Sequence, residues 1–431
     1  MHLKIRTLSG VERKVLIYNN TTSPLRQAQR ANITEKNVKT MKYNFDEVFP
    51  RKGSASVKHD LMKPFFGTED LLPMWVADMD FKAPDCVLDA IRKRCDQGFL
   101  GYTFGDNSYF GAVIDWFAKH YSIKAEKREL HYIPGIVVGI AFCIQAFTKP
   151  GDKILINTPV YPPFVNLPIN NGRELITNKL ILKNGRFEID FDDLEQKSKG
   201  CKMMLLSNPH NPGGTVWLRE DLVRIAEICK RNGVLVISDE IHADLTLPNY
   251  KHTSFSTVSE SAKSNCITFI APSKTFNIAG LSSSIAYIPE KSIRDTYFEY
   301  LEASEFANGN IFAYIGAEAA FRGGEEWLSQ LKDYLVENIA FADDYFKRNL
   351  PKVKAVLPEA SYLLWLDFNG FGLSHDELQD RLINKAKVAL NNGITFGGND
   401  YAGFFRMNIG CPRSILKEAL DRIASAFADV R

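Results

Sequence analysis

Residues 267–277 read ITFIAPSKTFN, and this stretch does most to decide the fold. The apolar run at 267–270 is typical of a strand buried in a parallel sheet, and the end of such a strand should project Lys274 into a cleft. A second buried strand, VLVIS at 234–238, ends in Asp239 and Glu240. The two strands therefore predict a buried amine and a buried carboxylate at the edge of one sheet.

An amine beside a carboxylate suits pyridoxal phosphate (PLP), because the aldehyde of this cofactor forms an imine with a lysine and an aspartate keeps its pyridine nitrogen protonated. Taken alone, Lys274 would more often be a solvated surface lysine, since Lys is mostly exposed in proteins. Its position after one buried strand, with Asp239 after another, favours the cofactor site.

Outward from this stretch, strands and helices alternate between about residues 84 and 290. The predicted strands in this part of the chain lie at 153–157, 203–206, 234–239, 267–270 and 284–288, and the clearest helices lie at 137–147 and 219–232. This alternation predicts an α/β fold, a doubly wound and mostly parallel sheet with helices on both faces and ligands beyond the carboxyl ends of the strands.

The pattern changes after about residue 323, where few strands accompany long helices. Helices are expected at 325–349, at 376–390 and from 413 onward, with strands at 361–368 and 404–409. We therefore expect a large PLP-binding domain at 84–323 and a smaller α+β domain at 324–431, the latter completed by an N-terminal segment at 41–83.

Residues 1–40 differ from the rest, with eight Lys or Arg, two Asp or Glu and no sustained apolar period. Such a composition buries too little surface to offset chain entropy, so we expect a disordered or non-native extension. The segment lacks the features of a secretory signal, and a basic transit peptide is the alternative that the residues leave open.

The composition of the whole chain is that of a soluble enzyme: 45% hydrophobic and 24% charged residues, with a formal net charge of +2. This charge gives no electrostatic case for nucleic acid, and no apolar stretch approaches the ~20 residues that cross a bilayer. The seven cysteines are scattered without a CxxC pair, which indicates reduced thiols and a cytoplasmic protein. The eight histidines show no ligand spacing, so no metal site is expected.

Four stretches together resemble one family. They are LPMWVADMDF at 72–81, SNPHNPGGT at 207–215, SDEIHAD at 238–244 and SKTFNIAGL at 273–281. In this order and spacing, residues 41–431 resemble the fold-type I PLP enzymes of the class I/II aminotransferase superfamily, and more narrowly the MalY/PatB-type cystathionine β-lyase branch. The resemblance implies the fold described above, PLP as the cofactor and an amino acid as the substrate.

The resemblance assigns four residues to the cofactor ring. It makes Lys274 the Schiff-base lysine, which also acts as the general base at the substrate α-carbon, and Asp239 the partner of the pyridine nitrogen. It makes Asn211 a hydrogen-bond partner of the phenolic oxygen, and Tyr161 the aromatic side chain that stacks on the ring. The alternatives are a helix cap for Asp239, a turn asparagine for Asn211 and a structural loop tyrosine for Tyr161.

The phosphate of the cofactor is expected at the start of a helix. Backbone amides of Ile136 and Val137 and the hydroxyl of Ser273 are the predicted contacts. Ser282 stands where many aminotransferases carry an arginine, so dipoles and hydroxyls must meet most of the phosphate charge. Tyr102 matches a tyrosine that reaches the phosphate of the neighbouring subunit, which implies a homodimer with shared active sites.

For the substrate, the resemblance makes Arg406 the residue that binds the α-carboxylate, and a guanidinium suits that geometry. An arginine paired inside the small domain is the alternative. Residues 75–81 match the N-terminal segment that folds over the substrate in this family, and the resemblance places Ala77 and Asp78 near the substrate. His242, predicted to contact the cofactor, stands where aminotransferases commonly carry a tyrosine, and the lyase branch shares this Asp-Glu-Ile-His sequence.

These features predict a PLP-dependent C–S β-lyase that cleaves L-cystathionine or related S-substituted L-cysteines to a thiol, pyruvate and ammonia. An aminotransferase of an L-amino acid is the alternative enzyme, and a regulatory PLP-binding protein is an alternative of another class. The loops that shape the side-chain pocket cannot be placed from the sequence, so the preferred sulfur substrate stays open.

Overall fold

The computed structural model describes residues 42–306 and 308–430 of the chain, and the extension predicted at 1–40 lies outside them. The strands of the described chain are β1 Leu72–Pro73, β2 Leu130–Ile133, β3 Lys153–Thr158, β4 Glu174–Lys179, β5 Ile181–Lys183, β6 Arg186–Glu188, β7 Cys201–Ser207, β8 Leu235–Asp239, β9 Cys266–Ile270, β10 Ser284–Tyr287, β11 Lys354–Val356, β12 Leu363–Asp367, β13 Val388–Ala389, β14 Asn391–Asn392 and β15 Phe404–Asn408. The α-helices are α1 Val57–Asp60, α2 Met62–Phe66, α3 Asp85–Asp96, α4 Asn107–Tyr121, α5 Ile136–Phe147, α6 Pro162–Asn170, α7 Phe191–Lys197, α8 Arg219–Arg231, α9 Glu260–Lys263, α10 Pro272–Thr275, α11 Lys291–Ala303, α12 Ile311–Gly323, α13 Glu325–Asn349, α14 His375–Asp380 and α15 Arg413–Ala426.

The central sheet has seven strands in the order β2-β10-β9-β8-β7-β3-β4. The pairs from β9 through β8, β7 and β3 to β4 are parallel, and β10 runs antiparallel to both of its neighbours. The prediction of a mostly parallel sheet is confirmed. Strands β8 and β9 are buried at every position, as expected for strands that are covered on both faces.

The two faces of the sheet belong to two separate apolar cores. Met204 and Leu206 of β7 pack in one core with the apolar stripe of α8, whereas Met203 and Leu205 pack in the other with α5. This division follows from the alternation of side chains along a strand. No helix in the described part of the chain is both long and apolar enough to cross a membrane.

The C-terminal part contributes a four-stranded antiparallel sheet in the order β11-β12-β15-β14. From Phe45 onward the described chain folds as one compact unit, and its division into a large and a small domain stays a prediction.

The helix predicted at 376–390 is wrong in its second half. Helix α14 ends at Asp380, a π-helical turn follows at Arg381–Lys385, and Lys387 has a left-handed backbone with φ of 56°. The buried strand β13 then pairs in parallel with β1, so that its backbone polar groups are satisfied by a distant segment. A local apolar pattern cannot reveal such a partner.

Three strand ends meet at one edge of the central sheet. Ser207 is the register partner of Asp239, and Asp239 is the partner of Phe269 near the end of β9. The loop that carries Asn211 follows β7, and helix α10, which carries Lys274, follows β9. The sheet therefore brings three predicted site residues to the same edge.

Gly214 joins the loop after β7 to the segment before β12. Its carbonyl accepts the backbone N–H groups of Glu359 and Ala360 at 3.0 and 2.9 Å. Its φ is +68°, and a Cβ at this position would lie 2.4 Å from the Cβ of Pro358 and 2.9 Å from the carbonyl oxygen of Ala360. Only glycine fits both the backbone conformation and the space.

Gly214→Ala should lower the free energy of unfolding by about 1–3 kcal/mol or more, because backbone strain and the clash with the segment before β12 add together. Gly185→Ala is the matched control, since Gly185 also has a positive φ, +79°, but open space around the added Cβ. Urea unfolding should show a clearly larger loss for Gly214→Ala, and equal losses would contradict the close approach.

Candidate active site

A cavity of about 180 Å3 lies at the edge of the sheet where the three strand ends meet. Nine residues predicted from the sequence line it: Ala77, Ile136, Val137, Tyr161, Asn211, Asp239, His242, Ser273 and Lys274. The other lining residues are Pro134, Gly135, Ser207, Ile241, Ala279, Ser282, Ser283 and Ser284. The structure thus brings most of the predicted site together, while the individual roles of these residues stay predictions.

Lys274 projects from the short helix α10, and its half-buried Nζ donates a hydrogen bond to the carbonyl oxygen of Ala77 at 2.6 Å. Burial lowers the pKa of Lys274 to about 8; the charges of Asp78 and Asp239 oppose this shift, and that of Arg406 adds to it. A large fraction of the amine is therefore neutral near pH 8 and can act as a nucleophile or a base.

Asp239 ends β8 and is 7% exposed. Burial raises the pKa of its carboxyl group to about 7, and the neighbouring Glu240 raises it further, although the backbone N–H of Ile241 donates to Oδ1 at 3.0 Å and works in the other direction. A carboxyl group in this state ionises readily once a cationic group lies beside it.

Glu240 stabilises the end of β8 through hydrogen bonds. Its carboxylate is buried and accepts hydrogen bonds from Ser238 Oγ at 3.0 Å and from the backbone N–H of Phe255 at 2.8 Å, and it lies 2.9 Å from Nε2 of His252. These contacts hold the backbone that carries Asp239. Glu240 is not among the residues predicted for the site, although it stands within the conspicuous stretch at 238–244.

Arg406 lies on β15 and is 3% exposed. It donates to Oδ1 of Asn211 at 3.0 Å, to Oδ1 of Asn391 at 2.7 Å and to the carbonyl oxygen of Trp75 at 3.2 Å. Within the part of the chain that the structure describes, its Nε has no partner and no carboxylate lies at salt-bridge distance. Burial lowers the pKa of Arg406 to about 10. A buried guanidinium that is bonded only to neutral acceptors retains the capacity to bind a carboxylate.

One end of the cavity is built to receive an anion. Gly135 precedes helix α5, whose first residues are Ile136 and Val137, and the first amides of a helix have no acceptor within it. Four serines line the cavity together with this helix start: Ser273, Ser282, Ser283 and Ser284. Free amides and hydroxyls can hold a phosphate group without a nearby arginine.

Tyr161 and His242 complete the wall. The half-buried Tyr161 precedes α6, and its backbone N–H donates to the carbonyl oxygen of Asn211 at 3.1 Å. Burial lowers the pKa of His242 to about 3, with contributions from the charges of Lys274 and Arg406. His242 is therefore a neutral imidazole, and its buried Nδ1 has no hydrogen-bond partner in the described chain.

Three predicted residues do not line the cavity: Arg406, which donates to the cavity residue Asn211, and Asp78 and Tyr102. Asp78 turns its carboxylate toward Arg51, at 3.0 Å, although its charge is the largest of those that favour the protonated form of Lys274. Tyr102 is fully exposed in the irregular stretch between α3 and α4. Asp78 therefore acts on Lys274 from outside the cavity, and Tyr102 faces solvent within one chain.

Two further side chains support the site without having been predicted from the sequence. Tyr362 is buried and donates from its hydroxyl to the carbonyl oxygen of Ala77 at 3.0 Å, and Ser207 Oγ accepts the backbone N–H of Asn211 at 3.1 Å. Ser207 opens a conspicuous loop and could have been found. Tyr362 directly precedes β12, far along the chain from Ala77, and no local pattern marks it.

The cavity suits a flat aromatic ring that carries a phosphate group, an aldehyde and a ring nitrogen. Lys274 offers an amine to the aldehyde, Asp239 a carboxyl group to the nitrogen and Tyr161 an aromatic wall. The unpartnered Nδ1 of His242 shows that the cavity wall retains unused hydrogen-bonding capacity. These are the chemical groups that PLP requires.

Comparison with known proteins places the chain in a family. Residues 69–423 match the family model described as aminotransferase class I and II. The chain is 42% identical to "Cystathionine beta-lyase PatB" of Bacillus subtilis over 387 residues, covering 89% of this chain and 100% of that protein.

Two solved structures extend the likeness to the fold. A PLP-bound putative aminotransferase from Clostridium difficile has a TM-score of 0.87 and 42% identity, covering 89% of this chain and 99% of that one. A PLP-bound C-S lyase from Staphylococcus hominis has a TM-score of 0.83 and 33% identity, covering 90% and 98%. The predicted family and fold class are confirmed.

The Lys274 amine should be acylated by a small reagent with a rate that rises with pH about a midpoint near 8, because burial lowers its pKa to about 8. Peptide mapping by mass spectrometry gives the rate for this one lysine. In the urea-unfolded chain the same midpoint should move to about 10.4. Arg406→Gln should raise the midpoint in the folded protein, since the guanidinium opposes protonation, and a lower midpoint would contradict this arrangement.

Proposed function

Because the chain belongs to the class I and II aminotransferase family, we propose that it is a PLP-dependent C–S β-lyase acting on L-cystathionine or related S-substituted L-cysteines. The observation that carries the proposal is full-length similarity to a protein named as a cystathionine β-lyase, together with one cavity that holds Lys274, Asp239 and the neighbouring Arg406. The histidine at 242, in place of the tyrosine common among aminotransferases, also supports a lyase.

Bound PLP supplies an electron sink for the negative charge that develops at the substrate α-carbon. Lys274 holds the cofactor covalently, and Asp239 pairs with the ring nitrogen, which gives its buried carboxylate the cationic partner it lacks. Tyr161 covers one face of the ring. The amides of Ile136 and Val137 hold the phosphate group.

The substrate is oriented by Arg406, whose unpaired guanidinium binds the α-carboxylate. The substrate amine displaces Nζ of Lys274 from the cofactor. The freed Nζ then takes the α-proton, and the carbon–sulfur bond at Cβ breaks with its electron pair leaving on sulfur. The thiolate takes up a proton to become the thiol. Addition of water to the remaining three-carbon unit gives pyruvate and ammonia, which balances the reaction.

Purified protein supplied with L-cystathionine and PLP, and with no keto acid, should release thiol and pyruvate continuously. Lys274→Ala should fold and lose turnover by at least about 10²–10⁴-fold, because it removes the positioned general base. Circular dichroism checks the fold of the variant, and a coupled pyruvate assay checks turnover. Full activity of Lys274→Ala would overturn the assignment of the base.

The second candidate is an aminotransferase, which the family description and the Clostridium difficile structure favour. The two reactions share removal of the α-proton and diverge at the next step. A transaminase would convert one equivalent of amino acid and then stop until a keto acid is added. Sustained product formation without a keto acid therefore selects the lyase.

We also propose a homodimer in which Tyr102 reaches the phosphate site of the partner subunit. Tyr102 stands in an irregular stretch that exposes four large side chains to solvent: Phe99, Leu100, Tyr102 and Phe104. Clustered exposed apolar side chains of this kind mark interaction surfaces. A second copy of the chain is the partner that completes the site.

We further propose that the enzyme works in the cytoplasm. All seven cysteines are unpaired, and five of them are buried. Reduced thiols persist in a reducing compartment, whereas secreted proteins tend to pair them.

Subunit mixing should reveal the shared site. Lys274→Ala and Tyr102→Ala homodimers are each expected to be impaired, but a heterodimer of the two contains one site with both native residues. An equal mixture refolded together should recover about a quarter of wild-type activity, because half of the dimers are mixed and each has one intact site. Tyr102→Ala mixed with itself is the control. Absence of recovery in mixed dimers that size and mass measurements confirm would contradict the shared site.

A further inference from the structure

Residues 75–81, the bridging segment, run between the two walls of the site without helix or strand. Each carbonyl from Trp75 to Met79 accepts a hydrogen bond from a side chain. The donors are Arg406 to Trp75, Asn408 to Val76, Lys274 and Tyr362 to Ala77, Lys58 and Asn408 to Asp78, and Arg51 and Asn277 to Met79. An irregular backbone must find such partners, because it has no ladder of its own.

Two of these donors are the residues assigned to chemistry. Nζ of Lys274 lies 2.6 Å from the carbonyl oxygen of Ala77, and Nη2 of Arg406 lies 3.2 Å from that of Trp75. The two carbonyls are only two residues apart. A shift of the bridging segment therefore displaces the acceptor of the amine, whereas the guanidinium keeps Asn211 and Asn391 as further acceptors.

The side chain of Asn277 makes three hydrogen bonds to the bridging segment. Its Oδ1 accepts the backbone N–H of Met79 at 2.9 Å, and its Nδ2 donates to the carbonyl oxygens of Met79 at 2.9 Å and Phe81 at 2.7 Å. The side-chain amide thus pairs with Met79 as a neighbouring strand would. Asn277 also has a left-handed backbone, with φ of +55°, which Asn tolerates better than most residues.

Asn408 holds the bridging segment from the opposite wall. Its Nδ2 donates to the carbonyl oxygens of Val76 and Asp78, both at 2.6 Å. Asn408 follows Arg406 by two positions on β15, whereas Asn277 follows Lys274 by three positions. Each asparagine therefore links the bridging segment to the stretch of chain that carries one of the two functional cations.

We propose that Asn277 is a positioning residue for Lys274: by holding Met79 and Phe81 it places the Ala77 carbonyl, and this carbonyl orients the Lys274 amine for proton transfer. The proposal rests on the proposed function, in which Lys274 removes the α-proton. Tyr362 secures the same carbonyl from the other side at 3.0 Å. A displacement of about 1 Å at a reacting group can cost about 10²-fold in rate, so the placement of this carbonyl matters.

The test uses the PLP-loaded enzyme with Asn277→Gly, which keeps the left-handed backbone and removes all three hydrogen bonds. We expect kcat to fall by about 10–100-fold with KM changed by less than about threefold, because the amine is displaced while Arg406 still binds the carboxylate. Hydrogen–deuterium exchange should accelerate in peptides that cover residues 74–82 and stay unchanged in the central sheet. Asn277→Asp, which keeps the acceptor and loses both donors, is the second variant and serves if Asn277→Gly fails to fold.

Asn249→Gly is the matched control, since Asn249 also has a left-handed backbone, with φ of +79°, and is exposed. It should leave kcat and exchange at 74–82 unchanged. The proposal is overturned if Asn277→Gly accelerates exchange at 74–82 but keeps wild-type kcat, or if exchange at 74–82 does not change. It is also overturned if exchange rises equally throughout the chain, because that result indicates a general structural role for Asn277. The exchange measurement needs no substrate, and a wild-type enzyme without lyase activity would refute the proposed function separately.

Discussion

The chemistry of this site depends on three ionisable groups that are buried without a partner of opposite charge. Lys274 and Asp239 line one cavity and Arg406 lies beside it, bonded to the lining residue Asn211, and in the described chain none of the three lies at salt-bridge distance from an opposite charge. Removing an ion from water costs several kcal/mol in a real protein, so each group moves toward its neutral form. The pKa of the amine is lowered to about 8 and that of the guanidinium to about 10, while the pKa of the carboxyl group is raised to about 7. A cofactor with a cationic ring nitrogen and a carbon that reacts with amines, together with the carboxylate of a substrate, would relieve all three, and their binding would stabilise the fold.

The sheet makes this arrangement possible because it holds each group on a short, well-anchored piece of chain. Thr275, next to Lys274, donates from Oγ1 to Oδ2 of the buried Asp244 at 2.9 Å, and Asp244 also accepts the indole N–H of Trp116 at 3.1 Å. Such contacts fix α10 to helix α4, which carries Trp116. Sites supported in this way hold their geometry better than sites on free loops.

The sequence predicted the parts of the site that follow from strand ends and failed where distant segments meet. Asp239 and Lys274 end or follow apolar runs of a length that only buried strands explain, so their shared edge could be foreseen. Three contacts join segments that no local periodicity connects. They are the ion pair of Asp78 with Arg51, the hydrogen bond of Tyr362 to Ala77 and the pairing of β13 with β1. Residues 388–389 show why the prediction failed there. Their apolar pattern is typical of a helix, but they form a strand because their backbone pairs with β1.

Proton transfer in the cavity depends on very few side chains. Burial lowers the pKa of His242 to about 3 and raises the pKa of Tyr161 above its usual range, so neither residue exchanges a proton easily near neutral pH. Asp239 has a suitable pKa, but its proposed partner is the ring nitrogen. Lys274 is then the residue that must remove the α-proton and carry it until a product accepts it. Because one amine both removes the α-proton and delivers it to a product, the orientation of this amine affects the rate of the two steps. In our proposal the Ala77 carbonyl of the bridging segment sets that orientation.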